Sequence, residues 1–393
     1  MNLREKLRAI DTVDDREETD SYSLAVRLGA SPQKLPGGTL FRRRRSLSPG
    51  YRHGGVCLPS LQPAGGLAYL IGRIPGIRPE DVLFLDTETT GLSSGPGTYV
   101  FLVGLGYVDG GKFHVDQIFL PGPHAEAAFL TALEEALRPF RILITFNGKC
   151  FDWNLLTTRF ILNRRLPPEA GCHLDLLYPA RRIFGASLSS CSLGELERSV
   201  LSFRRQGDVP GELIPHLYFR FLRDGHVEAL PAVLDHNLLD ILSLAALFGR
   251  ICDLLTGRDD PSPAQALGVA HYHERRGQLE SALRLYLRAA APTMPDDYRV
   301  QALRYASLAC KRTGRWREAD ALWTELCDQR PEDPFAYVER AKYYEHRLRE
   351  FRQALDVVER ALATCQLTPK GRAELQHRRR RLLGRLAHKP SLA

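Results

Sequence analysis

The stretch Asp81-Val-Leu-Phe-Leu-Asp86-Thr-Glu-Thr-Thr-Gly91 joins a short apolar run to two closely spaced acids. The apolar residues 82–85 predict a buried strand. Asp86 and Glu88 are two positions apart, so on an extended chain both side chains point to the same face. Neighbouring carboxylates repel each other unless cations neutralise them, and Mg²⁺ or Mn²⁺ prefers oxygen ligands of this kind. The stretch therefore predicts a strand that ends at a metal site.

A second acidic motif, Phe146-Asn-Gly-Lys-Cys-Phe-Asp152, follows another apolar run, Arg141–Phe146, which also predicts a buried strand. Asn147 and Gly148 suit a turn, and helical spacing follows over residues 151–163. Asp152 then lies in the first turn of that helix. An aspartate there is a common stabiliser of helix N-termini, but beside the first motif we interpret it as a further metal ligand.

The third motif is Asp235-His-Asn-Leu-Leu-Asp240, within a predicted helix over residues 231–255. His236 and Asp240 are four positions apart and share one helix face. One can bind metal while the other serves as a base. The alternative interpretation is a helix surface that carries polar residues.

The runs 99–108 and 112–120 flank Asp109-Gly-Gly111 and predict a hairpin. A helix is predicted at residues 126–138, before the strand of the second motif. This order predicts an α/β domain over residues 66–258, with a mixed sheet and flanking helices.

Residues 1–65 are rich in charge, glycine, proline and serine, and they include the run Arg42–Arg45. They predict a basic, loosely ordered N-terminal segment. The four arginines either contact phosphates or remain solvated.

Residues 262–388 predict helices only, and a spacing recurs along them. An apolar residue precedes an alanine by three positions in three places: Leu279 and Ala282, Trp316 and Ala319, Phe351 and Ala354. This pattern resembles tetratricopeptide repeats, whose period is about 34 residues, and the resemblance implies a possible protein partner. An ordinary helical bundle is the alternative. The run Arg378–Arg381 predicts a basic capping helix.

Composition narrows the class of protein. The chain has 393 residues, 44% hydrophobic and 25% charged, with a net charge of +8. The basic excess fits either a polyanionic partner or a solvated surface. The eight cysteines form no CxxC pair, so a zinc or iron–sulfur site is not indicated. Neither a signal peptide nor a membrane-spanning run is expected. A cytoplasmic location is expected instead.

The three motifs together resemble the DEDD exonuclease superfamily over roughly residues 80–255. With the C-terminal repeat, the chain resembles the YprB-like group of ribonuclease H-like proteins. The resemblance implies a ribonuclease H-like mixed sheet and two Mg²⁺ or Mn²⁺ ions. It implies hydrolysis of single-stranded DNA or RNA from the 3′ end, which releases nucleoside 5′-monophosphates. The implied metal ligands are Asp86, Glu88, Asp152 and Asp240, and the implied base is His236. In the histidine-type subclass the histidine stands five residues before the last aspartate, and here it stands four before.

Further residues of these motifs carry weaker expectations. Thr87, Thr89 and Asn147 are expected to position the terminal nucleotide or order the loop around it. Asp175 is interpreted as a structural residue or one that supports the site, and Phe151 and Trp153 as core residues rather than base-stacking ones. Four basic residues either contact the substrate backbone or are solvated: Lys149, Arg159, Arg164 and Arg165.

Three other functions remain open. The chain could be a catalytically silent nuclease fold that recruits a partner through its repeats. It could be an RNA-binding chaperone or scaffold, although that function needs no set of four carboxylates. It could also be an endonuclease or transposase of the same fold. The sequence does not separate DNA from RNA as substrate, because no contact to a 2′-hydroxyl can be inferred from it.

Overall fold

The structure is a computed structural model that describes residues 22–58, 61–91, 97–169 and 171–387. The chain divides between Asp259 and Asp260 into two compact units. None of the helices in these described residues has the length and apolar character needed to cross a membrane.

The first unit is built on a seven-stranded mixed sheet with the order β1-β2-β7-β6-β5-β8-β9. Its strands are β1 (Ser31–Leu35), β2 (Gly38–Leu47), β5 (Val82–Thr89), β6 (Val100–Asp109), β7 (Lys112–Phe119), β8 (Ile142–Thr145) and β9 (Cys172–Asp175). The short strands β3 (Arg52–His53) and β4 (Val56–Cys57) form a separate hairpin. β8 and β9 run parallel to β5, and the other pairings are antiparallel. The predicted mixed sheet is confirmed.

Eight helices are described in this unit: α1 (residues 22–28), α2 (Pro63–Ile71), α3 (Glu126–Leu137), α4 (Asp152–Leu162), α5 (Leu177–Phe184), α6 (Leu193–Ser199), α7 (Ile214–Asp224) and α8 (Leu230–Thr256). Helix α3 packs against β2 and β7, and α8 packs against β5 and β6. The strand β6 is buried over nearly its whole length, which explains why it reads as a continuous apolar run rather than an alternating one.

The sheet register places the acidic motifs at one edge. β5 and β8 are parallel, with Phe84 opposite Ile144, so their carboxyl ends meet at the same edge of the sheet. Asp86 and Glu88 continue β5 beyond its last residue paired with β8. Asp152 begins α4 shortly after β8 ends. The fold thus brings the first two motifs together.

Part of the segment 1–65 differs from the expectation of loose order, and its residues 1–21, 59 and 60 lie outside the described residues. Residues 31–47 form β1 and β2, and β2 pairs with β7 from Phe41 to Leu47. The arginine run lies in β2 and alternates between the faces of the sheet. Arg43 is buried and binds Gln117 and Asp235, whereas Arg44 donates two hydrogen bonds to Asp116 on the other face. Four charges in a row concealed the strand, because two of these side chains are satisfied by partners distant in sequence.

The second unit is helical throughout its described residues. Its helices are α9 (Pro263–Arg275), α10 (Leu279–Ala289), α11 (Asp296–Arg312), α12 (Trp316–Gln329), α13 (Pro334–Tyr343), α14 (Phe351–Thr364) and α15 (Pro369–Ala387), with a π-helical turn at Tyr344–Leu348. Each α-helix packs against the next along the chain. The three recurring alanines, Ala282, Ala319 and Ala354, are all fully buried, as small residues at close helix crossings should be. The assignment to tetratricopeptide repeats stays a prediction.

The arginine run 378–381 lies in α15, as the predicted capping helix requires. Arg378 and Arg381 bind Glu345, which is buried in the π-helical turn. At least two of these arginines therefore have a structural role.

Candidate active site

Four carboxylates converge at the edge where β5 and β8 end. Asp86 and Glu88 come from β5, Asp152 from the start of α4 and Asp240 from α8. Burial, together with the charges of Asp240, Asp152 and Glu88, raises the pKa of Asp86 well above its usual value. Burial and the charge of Asp240 raise the pKa of Glu88 to about 8. Burial raises the pKa of Asp152 to about 6. Three of the four carboxyl groups therefore hold protons more readily than usual, whereas His236 and Arg205 lower the pKa of the buried Asp240.

The donor set fits divalent metal ions. Ligand atoms of Glu88, His236 and Asp240 all lie within 4.8 Å of one another. Asp86 and Asp152 are close enough for their charges to act on this group. Carboxylate oxygens are the preferred ligands of Mg²⁺ and Mn²⁺, and raised carboxylate pKa values indicate that bound cations would stabilise the ionised forms.

His236 is held between two carboxylates. Its Nδ1 lies 2.9 Å and 3.0 Å from the two oxygens of Asp208, and its Nε2 lies 3.2 Å from Oδ2 of Asp240. Burial acts to lower the pKa of His236, but the hydrogen bond to Asp240 and the charges of Asp240, Glu88 and Asp208 raise it to about 9. Without bound cations at the site, the imidazole is therefore protonated at neutral pH.

Three residues of this site escaped the sequence analysis: Glu197, Arg205 and Asp208. Arg205 donates to Asp240 from Nη2 at 2.5 Å, to Asp208 from Nη1 at 3.0 Å, and to both oxygens of Glu197 from Nε. Arg205 and Asp208 lie in the segment between α6 and α7, where no periodic pattern marks a residue. Only the density of charge in residues 195–208 distinguishes the segment.

Beside His236 and Asp240 lies an open cleft of about 560 Å³. Its walls include the three residues just named together with Phe203, Arg204 and Gly211. The cleft gives His236 and Asp240 a route to solvent.

A buried hydrogen-bond chain ties Asp86 on β5 to β2 along one face of the sheet. Asn237 is fully buried and donates from Nδ2 to Asp86 Oδ2 at 2.9 Å. Its Oδ1 accepts from Gln117 at 2.8 Å, and Gln117 in turn accepts from Arg43 at 2.7 Å. An arginine from the segment expected to be loosely ordered thus helps to hold a catalytic candidate in place.

We expect Gly104→Ala to impair both folding and the site. A Cβ at Gly104 on β6 would lie 2.3 Å from Asn237 Oδ1 and 2.9 Å from Ile241 Cγ1, so α8 would have to shift. Overpacking of this kind costs about 1–3 kcal/mol, and the shift would loosen the hydrogen bond that Asn237 gives to Asp86. The melting temperature should fall, and the rate of nuclease turnover should fall with it. Gly50→Ala is the control, because no atom lies within 4 Å of its added Cβ, and equal melting of the two variants would contradict the prediction.

The three residues expected to bind the terminal nucleotide already make contacts inside the protein. The Thr87 hydroxyl donates to Asp152, and the Thr89 hydroxyl donates to the carbonyl oxygen of Gly91 at 2.8 Å. Asn147 has a left-handed backbone with φ 61°, and its N–H donates to Asp175 at 2.8 Å. Their contact with substrate stays a prediction.

Asp175 holds the loop of the second motif. It accepts from the backbone N–H groups of Asn147, Lys149 and Leu177, so the loop is fixed before α4 begins. This agrees with its interpretation as a structural or supporting residue.

Of the two alternatives for Arg159, a contact with the substrate backbone or a solvated side chain, the solvated one is wrong. Its side chain is buried and donates to both oxygens of Glu126 at 2.5 Å and 2.6 Å. Arg165 is partly buried and binds Glu134 and Thr131. Trp153 packs against the core cluster of the first unit, in agreement with the packing role preferred for it.

Metal affinity is expected to rise with pH. With a pKa of about 8, Glu88 holds a proton when the pH is below that value. His236, with a pKa of about 9, is likewise protonated at lower pH. A cation must displace these protons, so affinity falls as pH falls, by up to roughly tenfold per pH unit for each proton released. Calorimetric titration of Mn²⁺ between pH 6 and 8 should show tighter binding at pH 8. The observed binding heat should vary with the ionisation enthalpy of the buffer, because protons are released to it. Affinity that does not change with pH would contradict the raised pKa values.

Comparisons with known proteins agree with this geometry. Residues 83–252 match the RNase_H superfamily. The chain is 33% identical to the uncharacterized protein YprB of Bacillus subtilis (strain 168), over 340 residues that cover 83% of this chain and 81% of that protein. The family B DNA polymerase from the hyperthermophilic archaeon Pyrobaculum calidifontis is 15% identical with a TM-score of 0.35. The match covers 59% of this chain and 29% of the polymerase, and a likeness at that level does not bear on function. By its superfamily match and its relative, the chain belongs to the RNase H superfamily and to the YprB-like group within it.

Proposed function

We propose that this protein is a metal-dependent 3′→5′ exonuclease that shortens single-stranded DNA or RNA and releases nucleoside 5′-monophosphates. Its RNase H-like fold is one that supports nucleic-acid-processing nucleases. The observation that carries the proposal is the convergence of four carboxylates, since burial raises the pKa values of Asp86, Glu88 and Asp152 and the charge of Asp240 raises those of Asp86 and Glu88 further. Bound cations would stabilise the ionised form of such a cluster.

Asp86, Glu88 and Asp240 would share two Mg²⁺ or Mn²⁺ ions, and Asp152 would hold one of the ions, directly or through water. When bound, the ions neutralise the phosphate and polarise it for attack by water. Cations held by Glu88 and Asp240 would offset the charges that raise the pKa of His236. The His236 Nε2 then accepts a proton from the attacking water, while Asp208 keeps the ring oriented through Nδ1.

The chain itself favours a nuclease over a silent scaffold. A scaffold gains nothing from four converging acids, because each buried carboxylate costs folding free energy that packing elsewhere must offset. The open cleft beside His236 and Asp240 also gives substrate access to the candidate base. The C-terminal helices as tetratricopeptide-like repeats, and a protein partner for them, stay predictions.

The test uses 5′-labelled single-stranded DNA and RNA with Mg²⁺ or Mn²⁺. We expect a ladder that shortens from the 3′ end and that disappears with EDTA and in Asp86→Asn/Glu88→Gln. Circular single strands separate the alternatives, because an endonuclease or transposase cuts them and an exonuclease does not. Strands that bind but stay intact with every metal would contradict the enzyme and favour the silent scaffold. Strand annealing without metal would favour an RNA chaperone.

A further inference from the structure

A hydrogen-bonded chain leads from the β3–β4 hairpin to the candidate active site. His53 is buried and lies 2.8 Å from the hydroxyl of Ser243 on α8. Ser243 donates to Glu197 at 2.5 Å, and Glu197 binds Arg205. Arg205 then contacts Asp240. Nothing in the three acidic motifs requires these residues, so the chain is an addition to the catalytic group.

We propose that Arg205 is a positioning residue, which fixes Asp208 and Asp240 on the two sides of His236 and offsets their charge. This inference rests on the proposed function for its effect on turnover. Its effect on cation binding is independent of that function.

The anchor of Arg205 is Glu197, whose side chain is only 3% exposed. Glu197 accepts from Arg205 at Nε, at 2.9 Å and 3.1 Å, and at Nη2, at 2.5 Å. A buried carboxylate with a guanidinium held by two nitrogens is a rigid pair, because the planar fork fixes direction as well as distance. If Arg205 left the site, the charge of Glu197 would remain buried without its partner, which is costly.

The remaining guanidinium contacts define the place of His236. Nη1 reaches Asp208 at 3.0 Å and Nη2 reaches Asp240 at 2.5 Å. These are the two carboxylates that bind His236 through Nδ1 and Nε2. One arginine thus sets the spacing of both partners of the candidate base. The small displacement that follows its loss is enough to slow a reaction that depends on alignment.

Loss of Arg205 is expected to slow turnover but not to weaken the binding of cations, because it removes a positive charge from the site. Without Arg205, the carboxylates Glu197, Asp208 and Asp240 lose their shared positive partner, and the site becomes more negative. Divalent cations then bind at least as tightly as before, although the ligands are less well placed. A merely structural role predicts instead that turnover and cation binding are lost together.

The experiment compares Arg205→Met with the wild-type full chain in two measurements, Mn²⁺ calorimetry and exonuclease kinetics on a 5′-labelled strand. We expect kcat to fall about tenfold or more, KM to stay within about twofold, and Mn²⁺ to bind at least as tightly. Arg205→Lys keeps the charge but not the fork, so its Mn²⁺ affinity should stay near wild type while kcat remains low. Arg223→Met is the matched control, because Arg223 is also an arginine paired with a carboxylate, Asp224, but it is exposed on α7 and does not line the cleft.

Two results would overturn the inference: an unchanged kcat, or a loss of Mn²⁺ binding in folded Arg205→Met. If that variant does not fold because Glu197 is left unpaired, Glu197→Gln/Arg205→Met removes the buried charge as well and should give the same lowered kcat. If the wild-type protein has no nuclease activity, the proposed function fails, and the calorimetry still decides on Arg205. Mn²⁺ bound at least as tightly in Arg205→Met supports the charge-offsetting role, and weaker binding rejects it.

Discussion

Asp86→Asn is expected to abolish nuclease turnover while it stabilises the metal-free protein. The asparagine keeps an oxygen that can accept the hydrogen bond from Asn237, but it loses the charge that holds cations. Loss of several kcal/mol of transition-state stabilisation corresponds to a drop in kcat of about a thousandfold or more. In the metal-free protein the same change removes the cost of burying the carboxylate charge and its repulsion from Asp240, Asp152 and Glu88. The melting temperature should rise by about 2–4 °C for each kcal/mol relieved.

The pH dependence of this stabilisation has a definite sign. A carboxylate whose pKa is raised in the folded state contributes stability at low pH, and this contribution is lost as pH rises through the raised pKa. For Asp152 and Glu88 this loss occurs as pH rises through about 6 and about 8. The gain from Asp86→Asn should therefore be larger at pH 8 than at pH 5.

The control for Asp86→Asn is Asp116→Asn on β7. Asp116 is also a buried aspartate, 3% exposed, but it accepts two hydrogen bonds from Arg44 and lies outside the candidate active site. Asp116→Asn should lower the melting temperature and leave turnover unchanged, the reverse of Asp86→Asn on both measurements. If metal-free Asp86→Asn melted below wild type, the charge of Asp86 would be stabilising the fold, and repulsion from the neighbouring carboxylates would not be the dominant effect.

The acidic motifs could be predicted because local geometry alone determines them. The two-residue period of a strand puts Asp86 and Glu88 on one face, and the four-residue period of a helix does the same for His236 and Asp240. The predicted strand boundaries also agree with the structure to within one residue. The hairpin expected at 99–108 and 112–120 is formed by Val100–Asp109 and Lys112–Phe119.

The arrangement around these motifs could not be predicted, because tertiary contacts determine it. Arg43 is buried between two partners distant in sequence, Gln117 at 2.7 Å and Asp235 at 2.9 Å. Glu197 lies on α6 and Arg205 in the loop that follows it, so no helical or strand period relates the two residues. Their side chains nevertheless form a pair that is only 3% and 15% exposed. In both cases a charged residue looks solvated until its partner is known, and a single sequence does not identify the partner.

Arg159→Met is expected to destabilise the first unit strongly, because Arg159 neutralises a buried acid. The side chains of Arg159 and Glu126 are 6% and 9% exposed, and the guanidinium also lies 3.9 Å from the centre of the Tyr99 ring. Removal of one partner leaves Glu126 charged and buried, at a cost of about 3–5 kcal/mol. Thermal unfolding of the full chain should show the first unit melting about 10 °C lower, with urea denaturation to measure the free energy.

Two further variants separate this explanation from a contact with nucleic acid. Glu126→Leu/Arg159→Met removes both charges and should recover most of the lost stability, since apolar replacement of a whole buried pair is often neutral. Arg165→Met, which breaks a partly exposed pair with Glu134, should cost less than about 1 kcal/mol. If Arg159→Met instead melted like wild type and raised KM for a labelled strand, Arg159 would contact the substrate and the buried pair would be unimportant for stability. The depth of the Arg159–Glu126 pair argues against that outcome, because a guanidinium 6% exposed and held by two carboxylate oxygens has little surface left for a phosphate.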